Sequence, residues 1–429
     1  MQQLRVAVAL GVVLSTATAS AQSVFDLEVR GQGFRRISIQ LPEPRIEATG
    51  TAARSAVGEA QETLARDLIY SGFFFVMDQY ASPFLPRGVS RAWNVGDERP
   101  DQRPHRVEGV WRTEAGQLVA EMRLLDGSGN QLLGKRYQVG KDGPRPAMHH
   151  FADEVVRQLT GLPGNAQTKI AFARMGGKNS EIFTVDYDGF GEQGLTSQKT
   201  LSLSPCWGPD RSWIAFTSYV EGQPYLYRLD RGTRRLRPIS RQPGLNTSPD
   251  WSIARRAFAL TLSKDGNAEI YSLDADGGNP KRLTHHPAID TSPTWSATGQ
   301  QIAFTSDRTG VPQIWVMDAD GGNVRRLTQH GLYSDSPAWS PDGRWIAYVC
   351  RREGESQLVV TTPNGSDERV VVRDGASDSP SWANDSRHIA FSSRRRGVRA
   401  IYVVDLYSGL ERRLSSGHQE EITPAWSNE

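Results

Sequence analysis

Pairs of carboxylates and pairs of histidines are the first candidates for chemistry in this sequence. Asp274-Ala275-Asp276-Gly277 and Asp318-Ala319-Asp320-Gly321 each offer two carboxylates that could supply oxygen ligands to calcium. Neither has the glutamate that a calcium-binding loop carries at its twelfth position, so a polar hairpin turn is the favoured interpretation. His149-His150 and His285-His286 are adjacent pairs, and adjacent side chains point apart. The sequence therefore predicts no metal ion and no cofactor.

Sequence motifs of common enzyme classes are missing. The chain contains no His-Glu-x-x-His zinc motif, no Gly-x-Ser-x-Gly nucleophile elbow and no phosphate-binding glycine loop. Arg394-Arg395-Arg396 could contact nucleic acid or an acidic partner, but a solvated loop is the favoured interpretation. The formal net charge of +2 is too small to steer the chain to nucleic acid. We therefore expect a binding protein rather than an enzyme.

The first 21 residues have the pattern of an export signal. Arg5 provides a positive start, residues 6–14 are apolar, and Ala19-Ser20-Ala21 offers the small residues that a signal peptidase reads. We expect cleavage after Ala21 and a periplasmic chain that begins at Gln22. The residue directly after this site is Gln22 rather than a cysteine, which argues against a lipid anchor. Since no other apolar stretch is long enough to cross a bilayer, no membrane span is expected.

Tryptophan recurs at a nearly constant interval in the second part of the chain. The interval is 43 or 44 residues, and each tryptophan follows a proline by two positions, at Trp207, Trp251, Trp295, Trp339, Trp382 and Trp426. Each period also contains a short apolar segment such as Ile302-Ala303-Phe304, a third strand and a fourth strand. Four short strands per period are typical of a propeller blade and leave no room for a crossover helix.

The position of the last tryptophan strand indicates a closed ring. The strand expected after Trp426 is missing there, and its counterpart is Lys169-Ile170-Ala171-Phe172, before the first tryptophan strand. Pairing of these two segments would remove the open sheet edges. We therefore predict an all-β six-bladed propeller over residues 169–429, closed by the C-terminal strand. Cys206 and Cys350 fall three blades apart, too far for a disulfide, and are expected to be free and buried.

Residues 22–162 lack the repeat and predict a small α/β domain. The expected elements are a strand at 36–41, a helix at 52–68, a buried strand at 73–77, two strands within 107–139, and a helix at 151–159 that ends near Gly161. Residues 163–168, which contain Pro163 and Gly164, are the expected linker to the propeller.

The loops that lead into the tryptophan strands are polar and should surround one mouth of the central channel. They include Asp290, Asp335 and Asp378. Serine, threonine and aspartate before proline also cap turns, so these residues have a structural explanation too. The aspartates leave open an alternative, a periplasmic propeller enzyme of the hydrolase or lyase type with acidic residues at the mouth. A third possibility is a structural scaffold with no partner specific to the mouth.

Taken together, the export signal, the α/β domain and the six Ser-Pro-x-Trp and Ile-Ala-Phe blades resemble the TolB family, periplasmic components of the bacterial Tol–Pal system. Asp153-Glu154-Val155 and Leu159-Thr160-Gly161, ahead of Lys169-Ile170-Ala171, also look like that family's domain junction. The resemblance implies a non-enzymatic, monomeric protein that supports outer-membrane integrity and constriction during cell division.

The resemblance also implies two partner sites. The peptidoglycan-associated lipoprotein Pal would bind the propeller mouth at Leu245, Asn246, Ser248, Thr291 and Ser292. The protein TolA would bind the N-terminal segment, at Gln22, Ser23, Val24, Phe25, Asp26, Leu27, Glu28 and Val29. Toxins of the colicin type, which use such proteins for import, are a further expected class of partner.

Overall fold

The computed structural model describes residues 36–77, 103–329, 333–352, 354–395 and 397–427. The predicted export signal and the predicted TolA segment, residues 22–29, lie outside the described residues. The first described elements are β1 (Ile37–Gln40), β2 (Arg45–Ile46), α1 (Thr51–Tyr70), β3 (Phe74–Met77), β4 (His105–Glu114), β5 (Gln117–Leu125), β6 (Gln131–Gln138) and α2 (Arg145–Thr160). No helix in the described part of the chain is long and apolar enough to span a membrane.

These elements form one sheet that is covered by both helices. The strand order is β3-β1-β4-β5-β6, and β2 adds to β4. Helix α1 contacts β3, α2 contacts β6, and the two helices contact each other. Strand β4 alternates buried and more exposed residues, with Val107 and Trp111 on the buried face. Phe151 and Leu64 are fully buried on the helices, so this part of the chain has its own core.

Two details of this α/β region differ from the sequence-based expectation. Three strands, rather than two, occupy the segment predicted as 107–139, because β4 and β5 are joined at Ala115, whose φ of 47° is uncommon for a residue other than glycine. Helix α2 begins at Arg145, six residues earlier than expected, directly after Pro144, a residue suited to a helix start. Its end at Gly161, with φ of 73°, agrees with the expectation.

The propeller consists of six sheets of four antiparallel strands. Blade 1 contains β7 (Lys169–Gly176), β8 (Asn179–Asp186) and β9 (Gln193–Gly194). Blade 2 contains β10 (Ser202–Trp207), β11 (Trp213–Ser218), β12 (Tyr225–Asp230) and β13 (Leu236–Ser240), and blade 3 contains β14 (Asn246–Ser252), β15 (Ala257–Leu262), β16 (Glu269–Asp274) and β17 (Lys281–Arg282). Blade 4 contains β18 (Asp290–Trp295), β19 (Gln301–Ser306), β20 (Gln313–Asp318) and β21 (Arg325–Arg326), and blade 5 contains β22 (Tyr333–Trp339), β23 (Ile346–Arg352), β24 (Glu355–Thr361) and β25 (Glu368–Gly375). Blade 6 contains β26 (Ser377–Trp382), β27 (His388–Arg395), β28 (Val398–Asp405) and β29 (Glu411–Arg413). Strand β30 (Glu421–Trp426) completes blade 1.

Ring closure follows the predicted pairing. Strand β30 is antiparallel to β7, with Trp426 opposite Ile170. The Trp426 indole Nε1 donates to Thr168 Oγ1 at 2.8 Å, and the Lys169 amide donates to Ser427 Oγ at 2.9 Å. Closure therefore rests on backbone pairing and on side-chain hydrogen bonds across the two ends of the propeller. The predicted six-bladed fold is confirmed.

The apolar segments that recur in each period form the cores between blades. The aromatic residue of the Ile-Ala-Phe segment is fully buried in blade after blade, for example Phe216 and Phe304. Two of the repeated tryptophans also join neighbouring blades, since Trp207 Nε1 donates to the Ala425 carbonyl at 2.8 Å and Trp382 Nε1 to the Ala338 carbonyl at 2.9 Å. The two cysteines, Cys206 and Cys350, are free and buried as predicted.

Candidate functional site: the channel mouth

Each inner strand of the propeller carries a bulge where the Ser-Pro pair stands. The residue before the proline is left-handed in all six blades, with φ between 49° and 56°, at Ser204, Ser248, Ser292, Ser336, Ser379 and Thr423. Strand pairing shifts register across each Ser-Pro step, since proline has no N–H to donate. The bulges place the six hydroxyl-bearing residues and their prolines along a central channel of about 490 Å³.

The channel wall is mostly uncharged. Among the described residues that line it, Asp250 carries the one carboxylate, at the position where the other inner strands have Cys206, Thr294 or another small residue. Burial raises the pKa of Asp250 to about 6, although the Trp295 amide, which donates to Oδ2 at 2.7 Å, opposes the rise. The wall therefore offers hydroxyl groups and proline rings rather than a set of acids and bases.

We call the end of the propeller where the inner strands begin the mouth face, and the end where they reach the tryptophans the tryptophan face. On the mouth face, the loop before each inner strand meets the loop joining the second and third strands of its blade. Leu245 N donates to Ser263 Oγ at 2.9 Å in blade 3, and Ile289 N donates to Asp307 Oδ1 at 2.8 Å in blade 4. The two sets of loops thus share one face, as expected.

The five predicted Pal-contact residues occupy four different environments. Ser248 and Ser292 line the channel, Thr291 is half-buried on the adjoining strand, and Leu245 is exposed on its loop. Asn246 has no exposed surface: its Oδ1 accepts from Ser240 Oγ at 2.6 Å, and its Nδ2 donates to the Gln242 carbonyl at 2.8 Å. This corrects its expected role, because a fully buried side chain positions the loop and offers no contact surface to a partner.

Sequence reasoning missed a group of exposed aliphatic residues on the same face. Val220, Leu245, Ile289 and Val311 are 43, 38, 52 and 44% exposed, and they lie on mouth loops of blades 2, 3 and 4. We call these four residues the apolar rim. Backbone hydrogen bonds connect their loops from blade to blade, such as Asn246 N to the Pro224 carbonyl at 3.1 Å. The only signal in the sequence is an aliphatic residue within an otherwise polar turn.

The three mouth aspartates are held by separate partners. Asp290 is buried and pairs with Arg308 at 2.6 Å, and Asp378 pairs with Arg399 at 2.6 Å. Asp335 accepts from Tyr333 Oη at 2.7 Å. Each of the three carboxylates thus has a cation or a hydroxyl group as its own partner.

The other chemically suggestive motifs also have local partners. In the Asp274–Gly277 turn, Asp274 Oδ2 accepts from Asn279 Nδ2 at 2.7 Å and Asp276 Oδ1 accepts from the Gly278 amide at 3.1 Å, as a polar hairpin turn requires. Arg394 pairs with Glu420 at 2.7 Å, and Arg395 with Asp374 at 2.8 Å. Ion pairing, rather than simple solvation, accounts for these two arginines.

A buried polar cluster joins the α/β domain to the propeller. His149 Nδ1 of α2 lies 2.7 Å from Asp67 Oδ2 of α1, and Asp188 follows β8 in blade 1. The ligand atoms of these three residues lie within 4.8 Å of one another, a spacing that suits a metal ion. Arg145 Nη2, however, contacts Asp188 Oδ2 at 2.7 Å and His149 Nε2 at 3.2 Å. A guanidinium already supplies the positive charge, so the cluster is an interdomain latch and not a metal site.

Burial and the neighbouring charges shift the pKa values in this latch. Burial raises the pKa of Asp67 to about 6, and His149 opposes that rise. Burial lowers the pKa of His149, but the Asp67 carboxylate outweighs it, so that the net shift is upward. The pKa of Asp188 is lowered, because Arg145 outweighs the effect of burial. Sequence reasoning missed the latch because its members lie on separate elements far apart along the chain.

The protein is a closed six-bladed propeller with an α/β domain on its tryptophan face and exposed apolar residues in loops of its mouth face. This arrangement defines a class of two-domain propeller proteins. A family model described as TolB beta propeller domain matches residues 156–429. The chain belongs to this TolB family.

Individual relatives support the same assignment. The Tol-Pal system protein TolB of Desulfosudis oleivorans is 37% identical over 197 residues, which cover 43% of this chain and 41% of the relative. The Tol-Pal system protein TolB of Anaeromyxobacter dehalogenans is 35% identical over 244 residues, 54% of each chain. These matches span about half the length of the relatives. The crystal structure of TolB from Acinetobacter baumannii superposes with a TM-score of 0.77 at 25% identity, covering 92% of this chain and 97% of that one.

The latch predicts a pH dependence of stability. Groups whose pKa is raised by folding favour the folded state below their unfolded pKa, and this contribution is lost as the pH rises through the folded pKa. Asp67 should therefore lower the free energy of unfolding by on the order of 1–3 kcal/mol as the pH rises from 4 to about 6. His149, whose pKa is raised from 6.5, should lower it further as the pH rises above that value. Asp67→Asn should flatten this slope in denaturant titrations at several pH values. An unchanged slope would contradict the assignment.

Proposed function

We propose that this chain is the non-enzymatic TolB component of a Tol–Pal system. In this proposal it is exported by a signal cleaved after Ala21, acts in the periplasm, and supports outer-membrane integrity and constriction during division. It binds Pal at the mouth face and TolA through residues 22–29. The observation on which the proposal mainly rests is membership of the TolB family. The apolar rim supports the assignment of the Pal site to the mouth face.

The mouth face has the composition of a protein-binding surface. The apolar rim offers four exposed aliphatic side chains, whose complete burial would stabilise a complex by roughly 1–2 kcal/mol each before the costs of association. Ser248 and Ser292 add hydroxyl groups in the channel, on the strands β14 and β18 that follow the loops of Leu245 and Ile289. Exposed apolar side chains combined with polar groups are typical of a protein–protein interface. The proposed contact residues are Leu245, Ser248, Thr291 and Ser292.

The N-terminal segment suits a second partner of different character. Within residues 22–29, apolar and polar side chains alternate from Phe25 to Val29, with Asp26 and Glu28 as the polar members. Such a segment can add as a strand to a partner's sheet, where backbone hydrogen bonds supply much of the affinity. If Pal distinguishes two states of this segment energetically, then TolA binding must by linkage report on Pal occupancy.

Arginine substitutions at the mouth should weaken Pal binding. Ser248→Arg and Thr291→Arg each place a long charged side chain at the channel edge, and we expect at least a tenfold loss of affinity for a soluble Pal domain of the same organism. Calorimetric titration of the chain beginning at Gln22 provides the measurement. Val324→Arg, an exposed position on the tryptophan face, adds the same charge and should bind as the wild type does. Equal affinity for all variants, or no binding by the wild type, would refute the Pal site.

Removal of residues 22–33 should abolish TolA binding while Pal binding is retained. In this proposal Pal contacts residues of the mouth face and not this segment, so its loss removes one partner only. Pull-down or calorimetry with the periplasmic domain of TolA measures the first effect, and the Pal titration serves as the control for folding. Unchanged TolA affinity of the shortened chain would rule out this segment as the site.

A further inference from the structure

Three turns on the tryptophan face of blades 2 and 3 are rich in arginine. Residues 208–212, 231–235 and 253–256 together contain six arginines and a single acidic residue, Asp210. The arginines are Arg211, Arg231, Arg234, Arg235, Arg255 and Arg256. Four of them are exposed, and Arg211 and Arg231 are half-buried. We call this surface the arginine face.

The arginine face lacks the counter-charges found elsewhere on the propeller. None of its six arginines forms an ion pair with a carboxylate of the described residues, whereas Arg228 on the neighbouring strand β12 pairs with Asp230 at 2.7 Å. Burial lowers the pKa of Arg231, and the positive charges of Arg211 and Arg234 lower it further. These guanidinium groups therefore repel one another in the unbound protein, and an anionic ligand would relieve the repulsion.

Backbone conformation at these turns is a second feature of the arginine face. Arg211, Arg234 and Arg256 have φ of 54°, 58° and 53°, in the left-handed region. Turns at the corresponding places in other blades use residues that tolerate this conformation, such as Gly299, four residues after its tryptophan as Arg211 is, and Asn279. The sequence thus keeps arginine at positions where the backbone favours glycine or asparagine. Strain of this kind concentrates at functional sites.

Aromatic rings and carbonyl groups orient several of these side chains. The guanidinium of Arg231 lies 5.4 Å from the Trp207 ring centroid and donates to the Arg211 carbonyl at 3.0 Å. The guanidinium of Arg255 lies 6.0 Å from the Trp295 ring centroid. All six cations are arginine rather than lysine, and a planar guanidinium held in place can bind a carboxylate through two parallel hydrogen bonds. Fixed, directional donors favour discrete carboxylates over a diffuse charged surface.

We propose that the arginine face binds an acidic polypeptide segment, at a site on the opposite side of the propeller from the mouth. Charge complementarity selects the partner, since aspartate and glutamate side chains would supply the carboxylates that the six arginines lack. Arg211 also donates to the Gln167 carbonyl, so the site borders the connection between the two domains. This inference goes beyond the proposed binding of Pal and TolA and does not depend on either.

The experiment uses the whole chain from Gln22 and a fluorescein-labelled hexaglutamate peptide, followed by fluorescence anisotropy at low and at physiological salt. We expect saturable binding that weakens with salt and that is reduced at least tenfold by the double change Arg234→Glu and Arg235→Glu. The matched control, Arg123→Glu with Lys141→Glu, makes the same charge change at exposed positions of the α/β domain and should bind within twofold of the wild type. Melting temperatures verify that both variants are folded.

Three results would overturn the proposal. The first is equal weakening by both double variants, which would mean that net charge alone matters. The second is equal binding of a hexaglutamine peptide. The third combines three observations: the peptide does not bind, vesicles that contain phosphatidylglycerol do bind, and Arg234→Glu with Arg235→Glu abolishes the vesicle binding. The arginine face would then be a membrane contact. Calorimetric titration of the Arg234→Glu, Arg235→Glu variant with Pal separates this test from the proposed function. The affinity for Pal should equal that of the wild type.

Discussion

Pairing of β30 with β7 is the interaction on which the rest of the propeller depends. It joins segments from the two ends of the repeat, and Trp426 and Ser427 add hydrogen bonds to Thr168 and Lys169 at the same junction. Without it, β7 and β30 would each present an unpaired edge. Closure brings the six Ser-Pro bulges around one channel and separates the loops into a mouth face and a tryptophan face.

The two faces differ in chemistry because different turns of the same repeat reach them. The mouth face carries the apolar rim, and the strands that start there carry Ser248 and Ser292 in the channel. The tryptophan face carries the arginine face and also receives the α/β domain, through the Asp188 latch and through Arg387, which donates to the Gly72 carbonyl at 3.0 Å and pairs with Asp405. A ligand at either face would therefore contact loops that are fixed by the same ring.

Features repeated along the chain could be predicted from the sequence, and features that depend on a single three-dimensional juxtaposition could not. The interval of the tryptophans predicts six blades, and the position of Lys169-Ile170-Ala171-Phe172 ahead of the first tryptophan strand predicts their closure. The Asp67–His149–Asp188 cluster was not predictable, because three separate elements bring it together. In the sequence, the consecutive residues Arg394 and Arg395 suggest a basic patch. In the structure, carboxylates of Glu420 and Asp374 neutralise these two arginines. The unpaired arginines are dispersed over three turns, and only the fold gathers them.

The most direct test of the central claim is hydrogen exchange of the whole chain with and without a soluble Pal domain, measured by mass spectrometry. Partner binding at the mouth predicts slower exchange in the loops at residues 219–224, 241–245 and 285–289. It also predicts unchanged exchange at residues 208–212 and 231–235 on the tryptophan face. Protection confined to the tryptophan face, with none in the mouth loops, would contradict the account.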